Sequence, residues 1–383
     1  MQVFQHIFSM FELMRKLILP ILFYFTIQLS WAQSKVNKPN KILPGHTNDV
    51  LALTTPANGE WIASGGWDKV INIYTNDSLN RLVKSIPDAH LAPLSAITFS
   101  RDGKLLASGS ADNTIRIWDS VFNMAKLLEG HTGRVTALLI DPSRRFLLSG
   151  AEDRQIILWD IKSGKMLKKV DNGNSVHAFA LGTDGKTLYV AGNETEIKAY
   201  TIGTWTIARY LTGHSDVVNS IALSADGRYL LSGSNDKTAR IWDLTTGKEV
   251  KKLAVDCWKV QAVAFTRDGN FAATGCNDGT VRIWQTDGAK LISSITAEGE
   301  NVKGVAFSKN NESIAVGNML RGKTDYGVRI WPTFIPKPSS QVSEPKDSLP
   351  SGKSVLVKDT LNVKPAKLST PAKPTINTKP SGK

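Results

Sequence analysis

Leu105 to Asp119 reads LLASGSADNTIRIWD, and three other stretches repeat its phrase: Leu147 to Asp160 as LLSGAEDRQIILWD, Leu230 to Asp243 as LLSGSNDKTARIWD, and Ala272 to Gln285 as AATGCNDGTVRIWQ. The closing aromatic residue recurs along the chain at Tyr74, Trp118, Trp159, Tyr200, Trp242, Trp284 and Trp331. A period of about 40 residues is the spacing of propeller blades. The chain is therefore expected to form seven units of one design.

Each unit opens with an alternating segment such as Val135-Thr-Ala137-Leu-Leu139, whose period of two suits a half-buried strand. Asp102-Gly103, Asp184-Gly185, Asp226-Gly227 and Asp268-Gly269 then supply residues that tolerate the positive φ of tight hairpins. The repeated phrase carries two more strands, and turns such as Ser163-Gly164 and Thr246-Gly247 lead into a fourth. The expected fold is all-β, a seven-bladed propeller of four-stranded antiparallel blades.

These residues resemble the WD-repeat family, whose units open on Gly-His and close on Trp-Asp; the resemblance covers about residues 41 to 333. It implies a hydrogen-bonded structural tetrad of His, Ser or Thr, Asp and Trp in each regular blade. Matched by position, the sets are His90, Ser108, Asp112, Trp118, then His131, Ser149, Asp153, Trp159, and His214, Ser232, Asp236, Trp242. The first unit has His46, Ser64 and Asp68 but Tyr74 for Trp. The fourth has Asn172, Val190 and Glu194 at three slots, the sixth has Asp256 for His, and the seventh keeps Asp325 and Trp331 behind an insertion. Those three are expected to rely more on apolar packing.

Ring closure has a visible solution. Pro332, Pro336 and Pro338 follow Trp331 and cannot donate to a ladder. Lys41-Ile-Leu43 precedes Gly45-His46 as Lys126-Leu-Leu128 precedes Gly130-His131, which makes it the last strand of the seventh blade.

The flanks read differently. Arg15 and Lys16 precede an apolar run from Leu17 to Leu29, and Ser30-Trp31-Ala32 offers small residues at a cleavage site. Such a run falls short of the roughly 20 residues that span a bilayer. Residues 1–32 are thus expected to be a cleaved signal peptide, 33–334 the propeller, and 335–383 a disordered tail rich in Lys, Pro, Ser and Thr. The expected address is outside the cytoplasm: periplasmic, cell-surface or secreted, with no transmembrane segment in the mature chain. The net charge of +13 invites a nucleic-acid reading, but the tail holds nine Lys against Glu344, Asp347 and Asp359, and the charge is not gathered on one face. Nucleic acid is therefore not expected; the tail is a candidate for contact with an acidic envelope polymer. Cys257 and Cys276 alone cannot make a disulfide framework, and whether they pair stays open.

Little is left over for chemistry. Gly317-Asn-Met-Leu-Arg-Gly322-Lys323-Thr324 fits the phosphate-loop pattern, but a strand, Gly327-Val-Arg-Ile-Trp331, follows where that motif needs a helix. After the structural slots are filled, only His177 of the propeller histidines is unassigned. No catalytic residue, metal site or cofactor is expected, and the chain reads as a non-catalytic protein-binding scaffold. The alternative is a propeller enzyme of lyase or lactonase type working at the central top opening. The candidate partner site for a protein or peptide is the top face where blades six, seven and one meet. It comprises Trp67, Arg134, Trp258, Lys259, Arg321, Lys323 and Tyr326. Exposed aromatic and Arg side chains are the types that dominate binding energy, whereas Ala111, Asn235 and Asn277, in the slot of Trp67, offer little area.

Overall fold

The computed structural model describes residues 38–320 and 325–335. The expected leader, 1–32, and the expected tail, 335–383, lie outside the described residues except for Ile335. Seven four-stranded antiparallel sheets follow one another around a ring. Blade one holds Val50–Thr54, Trp61–Gly66, Ile71–Thr75 and Leu82–Ile86 from the axis outward. Blades two to six repeat the order, with inner strands at Leu94–Phe99, Val135–Ile140, Val176–Leu181, Val218–Leu223 and Val260–Phe265. Blade seven has Glu300–Phe307, Ser313–Met319 and Val328–Pro332.

Its fourth strand is Lys41–Leu43, which runs antiparallel to Val328–Pro332 with Lys41 opposite Ile330 and Leu43 opposite Val328. Leu43 is fully buried among Val50, Ile62, Tyr74, Ala315, Val328 and Ile330, so its side chain joins blade seven to blade one. The same logic operates between other blades: Ala273, Ile283 and Ile295 of blade six pack with Val302, Phe307, Ile314 and Trp331 of blade seven. Because the last blade is completed by the first strand, the ring has no free edge at that seam.

The turns behave as read. Gly103, Gly185, Gly227 and Gly269 all have positive φ near 70°, and the aspartate before each accepts a backbone N–H from its own turn or lies beside it. This turn end of the blades is the bottom face. The loops between blades open on the top.

One feature carries no mark in the sequence. Every inner strand has a β-bulge near its top end, one residue in on blades one to six and, on blade seven, the second of two, and the aligned bulged residues are Leu51, Ser95, Thr136, His177, Asn219, Gln261 and Lys303. A bulge leaves one residue out of the ladder and re-aims its side chain. Ser95 Oγ donates to the Val135 carbonyl of the next blade at 2.6 Å, Thr136 donates likewise to Val176, and Asn219 Nδ2 donates to Val260 at 2.8 Å. The bulges thus form a belt of blade-to-blade links around the axis.

Closure through one short strand makes Leu43 more consequential than its neighbour. Leu43→Ala should cost about 2–4 kcal/mol in urea unfolding, and Ile42→Ala, at a position 37% exposed, under about 0.5 kcal/mol. Equal effects would show that the strand does not close the ring.

Candidate functional site

The top face is built on the tetrads. In blade three, His131 Nδ1 lies 3.0 Å from Asp153 Oδ2 and Nε2 lies 2.8 Å from Ser149 Oγ, while Trp159 Nε1 donates to the same Oγ at 2.8 Å. Blade two repeats this with His90, Asp112, Ser108 and Trp118, and blade five with His214, Asp236, Ser232 and Trp242. The donor inventory then fixes the protons: the indole N–H donates to the hydroxyl, the hydroxyl to Nε2, and Nδ1–H to the carboxylate, so each imidazole is neutral. Burial holds His90, His131 and His214 below the ordinary value of 6.5, against the pull of their aspartates. For Asp112, Asp153 and Asp236 burial pushes upward, but hydrogen bonds from hydroxyl, amide and imidazole groups outweigh it and hold them below 3.8. Each aspartate also accepts the amide after the histidine, at Leu91, Thr132 and Ser215, which pins the loop that opens onto the top face.

The irregular blades solve the same problem differently. In blade one His46 bonds Asp68 and Ser64 at 2.8 Å each, and the Tyr74 hydroxyl donates to the Pro44 carbonyl at 2.7 Å. In blade four Val190 packs with Val176, Leu188 and Tyr200, and polar links are added to that packing. Lys198 Nζ binds Glu194 and the Asn172 carbonyl at 2.6 Å each, and Tyr200 donates to Asn172 at 3.1 Å, because Val190 offers no hydroxyl. In blade six Trp284 still donates to Thr274 at 3.0 Å. Cys257 and Cys276, with Cα atoms 6.2 Å apart, form a disulfide between the loop and the strand end that a His–Asp pair joins elsewhere. The pairing left open by the sequence is therefore made, in the blade that lacks the histidine. Blade seven has Val316 at the hydroxyl slot, and the buried indole N–H of Trp331 has no hydrogen-bond partner among the described residues. Arg329, fully buried beside it, pairs with Asp325 at 3.2 Å.

On this frame the candidate residues take different positions. Trp67 follows the second strand of blade one and is 47% exposed, its amide bonded to the Asp49 carbonyl. Gly66 makes that approach possible, since a Cβ there would stand 2.0 Å from the same carbonyl oxygen. Trp258 is 76% exposed rather than packed into its blade, with Cys257 in the disulfide on one side and the Lys259 amide bonded to Asn277 at 2.9 Å on the other. Arg134 is half-buried, with its Nε enclosed and unpartnered, and Tyr326 is half-buried. Arg321 and Lys323 lie outside the described residues, as does most of the loop that follows the Gly317 strand end. Sequence reasoning passed over Leu91, 78% exposed, although it stands where Thr47, Thr132 and Ser215 stand in other blades. It also passed over the bulge belt, where His177 sits half-buried and held below its ordinary value by burial.

At the opposite mouth a cavity of about 630 Å³ is lined by residues such as Leu53, Val305 and Phe307, with Arg101, Arg267 and Lys309, and by no His, Cys, Asp or Glu. Among the described residues no three His, Cys, Asp or Glu side chains converge as metal ligands, and no helix is long and apolar enough to cross a membrane.

The sequence profile of the family described as WD domain, G-beta repeat matches residues 37–75, 80–119, 123–160, 205–243 and 247–285. The two stretches it passes over hold blade four and blade seven, those with Val at the hydroxyl slot. Among similar proteins, the pre-mRNA-splicing factor cwf17 of Schizosaccharomyces pombe is 27% identical over 49% of this chain and 55% of its own length. Pre-mRNA-processing factor 19 of Bos taurus is 29% identical over 49% of this chain and 37% of its own. A guanine nucleotide-binding protein subunit beta-like protein of Encephalitozoon cuniculi is 33% identical over 22% and 26%. The matched stretches thus span about half of such relatives or less.

These relatives correct the expected address. Proteins named for pre-mRNA splicing and processing work inside the cell, so the periplasmic, cell-surface or secreted assignment does not hold. Its basis was two cations before a short apolar run, a composition that carries no structural constraint of its own, and those residues lie outside the described ones. The acidic envelope polymer loses its ground with it.

Three outcomes follow from the tetrads. Ser149→Ala strands the Trp159 N–H and the His131 acceptor and should cost about 1–3 kcal/mol for each in chemical denaturation. Val316→Thr gives the Trp331 indole its missing acceptor and should gain about 1 kcal/mol. Both the histidines and the aspartates have lowered values in the fold, so the unfolded chain binds protons first. The melting temperature should be flat above pH about 7, fall as pH drops through the histidine value of 6.5, and fall again below 3.8. A thermal stability that rises on acidification from pH 7 to 5 would contradict the neutral tetrads.

Proposed function

The chain belongs to the WD domain, G-beta repeat family, and from that premise we propose that it is a non-catalytic scaffold that holds a protein or peptide partner on its top face. Proteins of this family are in general interaction scaffolds without a catalytic role. The observation that carries the reading is the exposure of Trp258 and Trp67, at 76% and 47%, on loops fixed by a disulfide, a glycine contact and backbone hydrogen bonds. A large apolar side chain carried on a fixed backbone removes much area from solvent on binding while the loop beneath it loses little entropy, which is how interface anchors work. Leu91, on blade two, extends the apolar surface round the ring from blades six and one. Arg134 and Lys259, at matching positions before the inner strands of blades three and six, put charge between the anchors and the axis. Arg321, Lys323 and Tyr326 of the blade-seven loop complete the proposed surface.

The bottom face serves as the control. Arg144 there is paired with Asp102 at 3.1 Å, and Arg145 stacks on Phe146. Once a partner has been captured with the full chain, Trp67→Ala with Trp258→Ala should weaken binding by more than about 2 kcal/mol with no change in melting temperature. The pair Arg144→Ala and Arg145→Ala should leave it intact. The reverse pattern would move the site to the bottom face.

A further inference from the structure

We propose that the partner segment held at the top mouth presents an aspartate or glutamate side chain, and that Lys303, Arg134 and Lys259 form the socket that receives it. The proposal rests on the top-face reading above and names the chemistry of its partner.

Lys303 is the bulged residue of blade seven, and the six corresponding residues are neutral or, in His177, held toward the neutral form. Ser95, Thr136 and Asn219 satisfy themselves on the next blade's carbonyl. Lys303 does not: among the described residues its one hydrogen-bond partner is the Gln261 amide oxygen, at 3.1 Å, which leaves two of three ammonium donors unused. Burial, together with the positive charges of Arg134 and Lys259, holds its pKa below the ordinary lysine value. Those two residues stand directly before the inner strands of blades three and six, so the three cationic positions lie at the top ends of inner strands around the axis. Arg134 adds a second unmet donor, its enclosed Nε.

Glu152 faces His177 from blade three, and Asp49, in the slot of Arg134 and Lys259 on blade one, spends a carboxylate oxygen on the Leu320 amide. A partly buried ammonium with a neutral amide as its only partner costs the fold stability. As a structural link it is inferior to the serine, threonine and asparagine at the same position. An inserted carboxylate would meet the free donors of Lys303 and Arg134 with charge-assisted hydrogen bonds. A phosphorylated segment would be drawn to the same cations, and the test below separates it from a carboxylate.

The test uses the full chain and three labelled ten-residue peptides, of glutamate, of glutamine and of alternating phosphoserine and glycine. The glutamate peptide should bind at least tenfold more tightly than the glutamine peptide. Lys303→Met, which keeps the stem and removes the charge, should abolish that preference and raise the melting temperature. Equal binding of glutamate and glutamine peptides, or a preference that survives Lys303→Met, would overturn the proposal. So would a lower melting temperature in Lys303→Met with unchanged selectivity, which would make Lys303 a strut. Tighter binding of the phosphoserine peptide than of the glutamate peptide, lost in Lys303→Met, would replace the acidic partner with a phosphorylated one. If Trp67→Ala with Trp258→Ala releases a captured partner while glutamate and glutamine bind alike, the acidic socket alone fails. If that pair has no effect on the partner, the top-face reading fails with it.

Discussion

A single buried hydroxyl oxygen at the centre of each regular blade holds the molecule's useful surface in place. Ser149 Oγ accepts the Trp159 indole proton and donates to His131, and His131 passes the connection to Asp153, which in turn takes the Thr132 amide. The chain of bonds runs from the third strand through the second to the loop leading into the inner strand. A loop at the top face is thereby tied to the blade's interior by groups that have no alternative partner, and each bond is expensive to break because the others are buried with it. Position on that face is inherited from the interior, which is why side chains there can be exposed and still fixed.

Where the hydroxyl is missing, the blade keeps the tie by other means. Blade four, with Val190, uses the Lys198–Glu194 pair and the Tyr200–Asn172 bond. Blade six keeps Thr274 but loses the histidine, and the Cys257–Cys276 bridge spans the same two segments covalently. Blade seven has neither hydroxyl nor histidine. Arg329 is fully buried against Asp325 there, and the Trp331 N–H is left unmet. The requirement is geometric, a link from loop to strand, and its chemistry is interchangeable.

The fold was legible because the repeated phrase encodes both things a blade needs: strand alternation with Asp-Gly turns, and a polar set that only makes sense buried together. The N-terminal closure was legible for a related reason, since Lys41-Ile-Leu43 sits before Gly45-His46 as Lys126-Leu-Leu128 sits before Gly130-His131. The functional surface was legible only in part. Trp67 could be found as an odd residue in a repeated slot, and Leu91 could have been found the same way. The bulge belt could not, because a bulge is a matter of register between strands and leaves no mark on the residue that occupies it. Lys303 in sequence is one lysine among many. The ion pairing of blade four and the disulfide of blade six were hidden too, since both depend on which ends of neighbouring strands meet in space. The address drawn from the segment before the propeller failed for the opposite reason: charge and hydropathy were all that stood behind it, with no packing requirement.

The departures from the repeat also bear on what a closed ring can recognise. Seven equal blades would present seven equal positions at the axis, and a partner arriving there could not distinguish one orientation from another. Recognition needs the symmetry broken by differences in charge and area at equivalent slots. In this chain the slot before the inner strand holds Asp49, Arg134 and Lys259 on blades one, three and six, and the bulged position holds His177, Gln261 and Lys303 on blades four, six and seven. Large exposed apolar groups fall on blades six, one and two, as Trp258, Trp67 and Leu91. Of the three blades with complete tetrads, three and five contribute no such anchor among the described residues, while blade two carries Leu91. The two exposed tryptophans, Trp67 and Trp258, fall on blades one and six, each relieved of part of the hydrogen-bond set. That placement follows from the physics of the interior: a substitution that disturbs a tetrad is tolerated where another link replaces it, and such a blade is then free to diverge at its top edge.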